Sequence, residues 1–236
     1  MLGLSIASNL SKQDFGYQLI SRERISSLVA HYKLGVGAFV DSNGDIERLT
    51  DVSSNTSEDM DMLPPAADND VAYDAATGKL EFRTASKSFL QTASDKQDLG
   101  KLTIFCVTDV VESGASNEAV FGGIGNHEFR LFRGGSSGEA RFRANAVNTD
   151  ISLSSSLPTG KFQFCLVREA DGNVLIRVNG TERGNASSSL SNTFEFRRIG
   201  NGSTDCDVFE LIVFNDTLST ADIEAIEFDI KQRHGI

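Results

Sequence analysis

The sequence has no tryptophan and only three tyrosines among its 236 residues. Sugar-binding surfaces commonly lay exposed aromatic rings against pyranose faces. Glycan binding through such rings therefore has little to work with here, and most of the 16 phenylalanines fall at alternating strand positions that belong to a core. Basic residues are scarce too. Lys plus Arg is 22 against 33 Asp plus Glu, a net charge of −11. That balance excludes the excess of cations on which nucleic-acid affinity rests, so no nucleic-acid partner is expected. No apolar run approaches the roughly 18–20 residues of a membrane span, so no membrane partner is expected either. Cysteine is limited to Cys106, Cys165 and Cys206, far apart and without a CxxC pair. Cys106 and Cys165 sit inside apolar strand-like runs, and all three read as free buried thiols. His31, His127 and His234 are isolated in sequence and match no zinc-binding spacing.

The start, MLGLSIASNLSKQDFG, lacks a basic region ahead of its apolar residues, and Ser5, Ser8, Asn9 and Ser11 interrupt it. It is not read as a secretory signal, and a chain kept in a cytosol, or one that leaves by a route needing no cleaved leader, is expected. The sequons at Asn55, Asn179, Asn185, Asn201 and Asn215 then read as turn chemistry. Residues 1–20 are expected to form an arm able to anchor the chain on a neighbour, and residues 21–236 one domain. Residues 22–34 give a mixed helix-or-strand signal. Residues 41–74 carry ten acidic residues against Arg48 alone, with Pro64 and Pro65 among them, and read mostly as a long surface loop.

From residue 80 the pattern becomes short apolar runs between turn residues. Strands are predicted near 79–83, 88–91, 101–111, 118–123, 127–133, 140–146, 161–169, 173–179, 193–199 and 206–214. In KFQFCLVRE, Phe162, Phe164 and Leu166 share one face and Cys165 and Val167 make the other partly apolar, as an interior strand requires. Glu169-Ala170-Asp171-Gly172 joins it to NVLIRVN as a hairpin, and Asn179-Gly180 turns the chain again. Ten such strands mean an all-β sandwich or barrel. One helix is expected at the end, capped by Ser219 with Asp222 three residues on and closed by Gly235. Ile223, Ile226, Glu227 and Ile230 share one helical face with Phe228 beside it, and only the isoleucines and Phe228 need burial, so it should lie on the sandwich surface.

Several stretches, taken together, resemble one family. Leu175-Ile176-Arg177-Val178-Asn179-Gly180 is similar to a strand ending in Val-Asn-Gly. Asp207 through Ser219, DVFELIVFNDTLS, resembles a last strand running through a turn and Leu-Ser into a terminal helix. Ile230 through Ile236, IKQRHGI, is similar to that helix's usual ending. Residues about 27–236 thus look like a concanavalin A-like (laminin G-like) jelly-roll domain. The early segment departs from the pattern, because Leu49 to Asn55 lacks the family's Trp and Gly. The resemblance implies an all-β, concanavalin A-like jelly-roll sandwich with a short N-terminal arm and a C-terminal surface helix. The leader and layout also look like structural proteins of tailed bacteriophages. That likeness implies a non-enzymatic virion structural or accessory protein, assembled in the host cytoplasm and present in many copies or as a homo-oligomer. Its arm would contact other virion proteins, and its sandwich would have weak contact with host surface glycan. A lectin-like carbohydrate-binding module of a bacterium is the alternative.

Candidate chemistry is sparse. Glu227-Phe228-Asp229 is similar to part of a jelly-roll glycanase motif, but that motif needs a strand to set residues i and i+2 on one side. On the terminal helix they diverge by about 200°, so no catalytic residue is assigned. Gly134-Gly135-Ser136-Ser137-Gly138 matches G-x-S-x-G only formally, since it lies between two strands. Asp41, Asn43, Asp45 and Glu47 place alternating oxygens that can wrap Ca²⁺, or else form an Asn-Gly hairpin with solvated carboxylates. Arg130, Arg133, Arg141 and Arg143 form a basic stripe across two predicted neighbouring strands. They suit an acidic partner chain, such as the 41–74 segment of another copy, or an anionic glycan, unless Glu128 and Glu139 simply balance them.

Overall fold

A computed structural model describes residues 26–53, 60–65, 71–83, 89–93, 97–110, 118–124, 126–132, 139–188, 192–200 and 205–236. The arm assigned to residues 1–20 lies outside them, as do Gly134 to Gly138. Among the described residues the elements run β1 (Leu28–Lys33), β2 (Ala38–Val40), β3 (Ile46–Leu49), β4 (Met62–Leu63), β5 (Ala72–Asp74), β6 (Lys79–Phe82), β7 (Phe89–Thr92), β8 (Gln97–Leu99), β9 (Leu102–Val110) and β10 (Glu118–Gly122). They continue with β11 (Glu128–Phe132), β12 (Glu139–Ala144), β13 (Val147–Ser152), β14 (Phe162–Arg168), β15 (Asn173–Val178), β16 (Thr181–Ser187), β17 (Phe194–Phe196), β18 (Arg198–Gly200), β19 (Cys206–Phe214) and the helix α1 (Thr220–His234).

Two antiparallel sheets stack face to face. The nine-stranded sheet has the order β13-β12-β11-β10-β18-β7-β4-β3-β2, and the eight-stranded sheet β16-β15-β14-β9-β19-β6-β5. The free edge of β19 is shared, with β6 along Cys206–Val208 and β1 along Glu210–Phe214. The all-β sandwich with a C-terminal helix is therefore as the sequence predicts, and each of the ten predicted strands is found. Hydrophobic patterning explains the layering. NVLIRV in β15 alternates buried and half-buried residues, so one face packs inward. Every residue of β14 and β19 is buried, as is all of β9 except Asp109, because these central strands are covered on both sides.

Phenylalanines hold the two sheets together. Phe121 of β10 lies 5.1 Å from Phe129, 6.1 Å from Phe164 of the opposite sheet, 6.2 Å from Phe194 and 6.4 Å from Phe196. These centroid distances suit stacked and edge-on aromatic contact. The outer face of the eight-stranded sheet forms a second apolar layer. Phe105, Val107, Cys165, Val167, Ile212 and Phe214 pack there with Leu218, Ile223, Ile226 and Ile230. Cys106, Cys165 and Cys206 are buried and outside any disulfide, and burial pushes the Cys106 and Cys165 thiols well up.

The sandwich also closes at its sides. Ser154 N–H donates to Arg183 O at 2.7 Å, and a Cβ on Gly184 would stand 2.4 Å from Ser152 O, so β13 and β16 meet where only glycine fits. On the other side Ile46 N–H donates to Val71 O and Tyr73 N–H to Gly44 O, tying β3 to β5. Such closures shield strand edges from unwanted pairing.

Three local expectations are sharpened or corrected. The described part of residues 41–74 is mostly outside strands, as expected, but it is not loop throughout. It supplies β3, β4 and β5, and Leu49, Met60, Met62 and Val71 are buried. These strands are two to four residues long, too short to give a period-two signal. Their acidic residues work as turn acceptors: Asp51 takes His31 N–H and Ser53 N–H, and Asp61 takes Asp51 N–H. The segment at 22–34, ambiguous in sequence, contributes β1. On α1, Phe228 is 61% exposed, and Glu227 and Asp229 are buried in its place. The caps are as predicted. Ser219 Oγ accepts Asp222 N–H, and Gly235 takes the left-handed conformation at φ 65°.

Candidate functional site

With one sheet covered by α1, the broad surface that no described helix or sheet covers is the outer face of the nine-stranded sheet. Alternation puts Phe129 and Leu131 of β11 and Ala140, Phe142 and Ala144 of β12 in the core. Glu128, Arg130 and Phe132 therefore point outward beside Arg141 and Arg143. Arg130 sits directly opposite Arg141, and Glu128 opposite Arg143. The predicted stripe is real at Arg130, Arg141 and Arg143, while Arg133 lies outside the described residues.

Glu128 organises this corner. It is 7% exposed and accepts Arg130 Nη2 at 2.6 Å and Arg143 Nη1 at 3.2 Å. Arg141 donates Nε to Asp150 at 2.5 Å, and its guanidinium stands 5.7 Å from the centre of the Phe132 ring. Charge-assisted pairs of this kind fix each guanidinium plane. The Nε–H groups of Arg130 and Arg143 are out of solvent and have no acceptor among the described residues. Both side chains therefore gain by turning toward an outside oxygen.

Two arginines that carry no distinctive sequence signal share the face. Arg198 of β18 donates Nε and Nη2 to Gln91 at 3.1 and 3.0 Å and lies 4.4 Å above the Phe89 ring. Arg48 of β3 lies 4.3 Å above the Phe39 ring. Phe39, Phe89 and Phe132 are thus outward-facing exceptions to the core role of phenylalanine, each beneath an arginine. In sequence these positions look like ordinary alternation; only the strand order brings them to one face.

The Asp41 turn is a tight hairpin between β2 and β3. Asp41 Oδ1 accepts Asn43 N–H at 2.8 Å and Asp45 N–H at 3.0 Å, and Oδ2 accepts Asn43 Nδ2 at 3.2 Å. The Asp45 and Asn43 amides hold the Asp41 carboxyl below its ordinary range. The oxygens proposed for Ca²⁺ at Asp41 are therefore engaged by the turn itself. Glu47 sits at the register shift between β2 and β3 and is exposed. Among the described residues no set of three His, Cys, Asp or Glu side chains gathers to hold a metal ion.

Glu227 and Asp229 face the sheet and are consumed by it. Arg177 grips Glu227 in a fork at 2.9 and 3.0 Å, and Arg233 donates Nε to Asp229 at 2.7 Å. Arg233 also reaches Glu210 of β19 at 2.5 and 2.6 Å, where His31 Nε2 and His234 Nε2 each lie at 2.7 Å. Two of the three histidines that look isolated in sequence, His31 and His234, converge on one buried carboxylate. Burial alone would raise Glu210, but the bonds from His234 and His31 and the charge of Arg233 outweigh it and hold the carboxyl well below its ordinary value. This network is closed over by α1 and fastens the helix to the sheet.

No family model and no curated protein matches the chain. Solved structures do. The receptor-binding domain of botulinum neurotoxin D aligns at a TM-score of 0.62 and 11% identity over 89% of this chain and 54% of that one. The binding domain of botulinum neurotoxin DC in complex with SialylT aligns at 0.59 and 11% over 87% and 52%. Trypanosoma rangeli sialidase in complex with sialic acid aligns at 0.57 and 14% over 88% and 33%. The chain spans about half the length of these toxin domains and a third of the sialidase. At such identities the likeness is one of fold, a β-rich architecture shared with sugar-binding proteins. It does not extend to the concanavalin A-like assignment or to a phage setting.

Proposed function

We propose that this chain is a non-enzymatic recognition domain whose open sheet face contacts acidic glycan through Arg130, Arg141 and Arg143. The observation that carries the reading is the concentration of these arginines on the uncovered face of a protein with net charge −11. Repulsion of an anionic ligand by the diffuse excess of acid is largely screened beyond the Debye length, about 8 Å at physiological salt, whereas the guanidiniums act at contact. Botulinum neurotoxin C enters cells through two ganglioside molecules and the sialidase takes sialic acid; that background of acidic sugars supports the choice of ligand. Two-carboxylate glycoside hydrolysis sets its carboxyls across roughly 5–10 Å of open cleft, and the Glu227 and Asp229 pair is closed between α1 and the sheet.

Titration with an acidic oligosaccharide and its neutral counterpart tests the reading. The wild type should prefer the acidic sugar, and the double variant Arg141→Glu/Arg143→Glu should bind it at least about tenfold more weakly, each lost charge-assisted bond being worth about 1.5–3 kcal/mol. Equal binding of both sugars, or an unaffected variant, would contradict it.

The setting proposed for the domain is a virion assembled in the host cytoplasm, with residues 1–20 as its anchor and many copies making weak glycan contacts effective together. Removing residues 1–20 should abolish incorporation into particles and leave glycan binding unchanged. Unaltered incorporation would favour a free lectin-like module instead.

A further inference from the structure

The outer face of the nine-stranded sheet holds an order beyond the Arg130–Arg141–Arg143 corner. Strand register defines a single row that crosses the sheet at right angles to the strands. Arg143 of β12 pairs with Glu128, Glu128 with Gly122 of β10, and Gly122 with Arg198 of β18. Arg198 pairs with Gln91 of β7, and Gln91 with Leu63 of β4. Leu49 pairs with Met62, which sets Arg48 of β3 against Leu63, and Arg48 pairs with Phe39 of β2. Arginine therefore recurs on every third strand: Arg143, Arg198, Arg48.

Strands lie about 4.8 Å apart, so the guanidinium-bearing positions repeat at about 14 Å and span about 29 Å. What lies between them leaves the row clear. Glu128 is already held by Arg130 and Arg143, Gly122 has no side chain, Gln91 is a neutral amide and Leu63 is apolar. Arg198 and Arg48 lie flat on phenylalanine rings at 4.4 and 4.3 Å. Stacking holds each guanidinium plane; Gln91 takes the Nε edge of Arg198 and Asp61 stands 3.9 Å from Arg48 Nε, so it is the outer Nη edge of each that would fork onto a carboxylate.

Resting on the acidic-glycan reading above, we infer that the ligand is an extended chain with recurring acid groups, laid across the strands along Arg143, Arg198 and Arg48. The corner arginines hold one end, Arg198 the middle and Arg48 the far end. Binding by such a row accumulates with ligand length, because each further acid group reaches another arginine without a second encounter.

Calorimetric titration with galacturonic acid and its oligomers of increasing length, using the full chain, tests this. Affinity should climb with length. Arg198→Gln and Arg48→Gln should each weaken the longest oligomer about tenfold and leave the short acidic sugars unchanged, with the melting temperature confirming the fold. If short and long ligands bind alike, or both variants behave as wild type, the row is wrong while the corner reading stands. Equal competition by polyglutamate of matched length would replace the glycan with an acidic peptide and overturn the inference. If the wild type binds no acidic sugar, both readings fall.

Discussion

Replacing Glu210 with alanine is expected to destabilise the protein by about 3–5 kcal/mol, the usual consequence of removing one partner from a buried ionic network. Glu210 is 1% exposed and is the shared acceptor for His31, Arg233 and His234. Its loss leaves Arg233 with Asp229 alone and removes what joins the end of α1 to β19 and β1. The fork between Arg177 and Glu227 and the isoleucine face would still hold the middle of the helix. Hydrogen exchange should therefore show the last turns of α1 opening first. The pH dependence follows from the same carboxyl. The folded pKa of Glu210 lies well below its ordinary 4.5, so its contribution is complete above that value and is lost as the pH falls through the folded value. The groups around it are His31 and Lys33 of β1 and Asp229, Arg233 and His234 of α1. Thermal melts of wild type and Glu210→Gln should be far apart at neutral pH and converge in acid. Parallel curves down to the lowest pH would show that Glu210 is not the linked group.

The second large effect is expected at Phe121→Ala. The ring bridges both sheets and the β17–β8 ribbon, touching Phe129, Phe164, Phe194 and Phe196. Truncation there should cost about 3–5 kcal/mol, because neighbours held by two sheets cannot collapse into the space. For a domain of this size that is a fall in melting temperature of roughly 6–20 °C. Phe228→Ala on the solvent side of α1 is the matching control and should change little. A small effect at Phe121 would mean that the sheets are not held together through this cluster.

What was legible in the sequence tracks how far its signals reach. The long strands β9, β14 and β19 announce themselves because two covered faces demand unbroken apolar runs, and Ser219 and Gly235 mark the ends of α1 by local chemistry alone. The short strands β3, β4 and β5 leave no periodic trace, and their acidic flanks look like solvated loop until Asp51 and Asp61 are seen accepting backbone N–H groups. Phe228 was misassigned for a related reason. A helix facing a sheet of apolar residues normally buries its aromatics, yet here Arg177 and Arg233 reach up from the sheet and from the helix to make Glu227 and Asp229 the buried pair. The Arg130–Arg141–Arg143 stripe was visible because β11 and β12 are neighbours in sequence as well as in space. Arg198 and Arg48 were not, since their place on the same face depends on the order β10-β18-β7-β4-β3, which no local pattern encodes.

Amide chemical-shift mapping on the labelled protein, titrated with a galacturonate oligomer, tests the central claim most directly. Shifts should gather on β3, β7, β10, β11, β12 and β18, with the eight-stranded sheet and α1 silent. Shifts confined to α1, or to the Asp41 hairpin and the other turns at the ends of the sandwich, would show that the open arginine face is not where this protein meets its ligand.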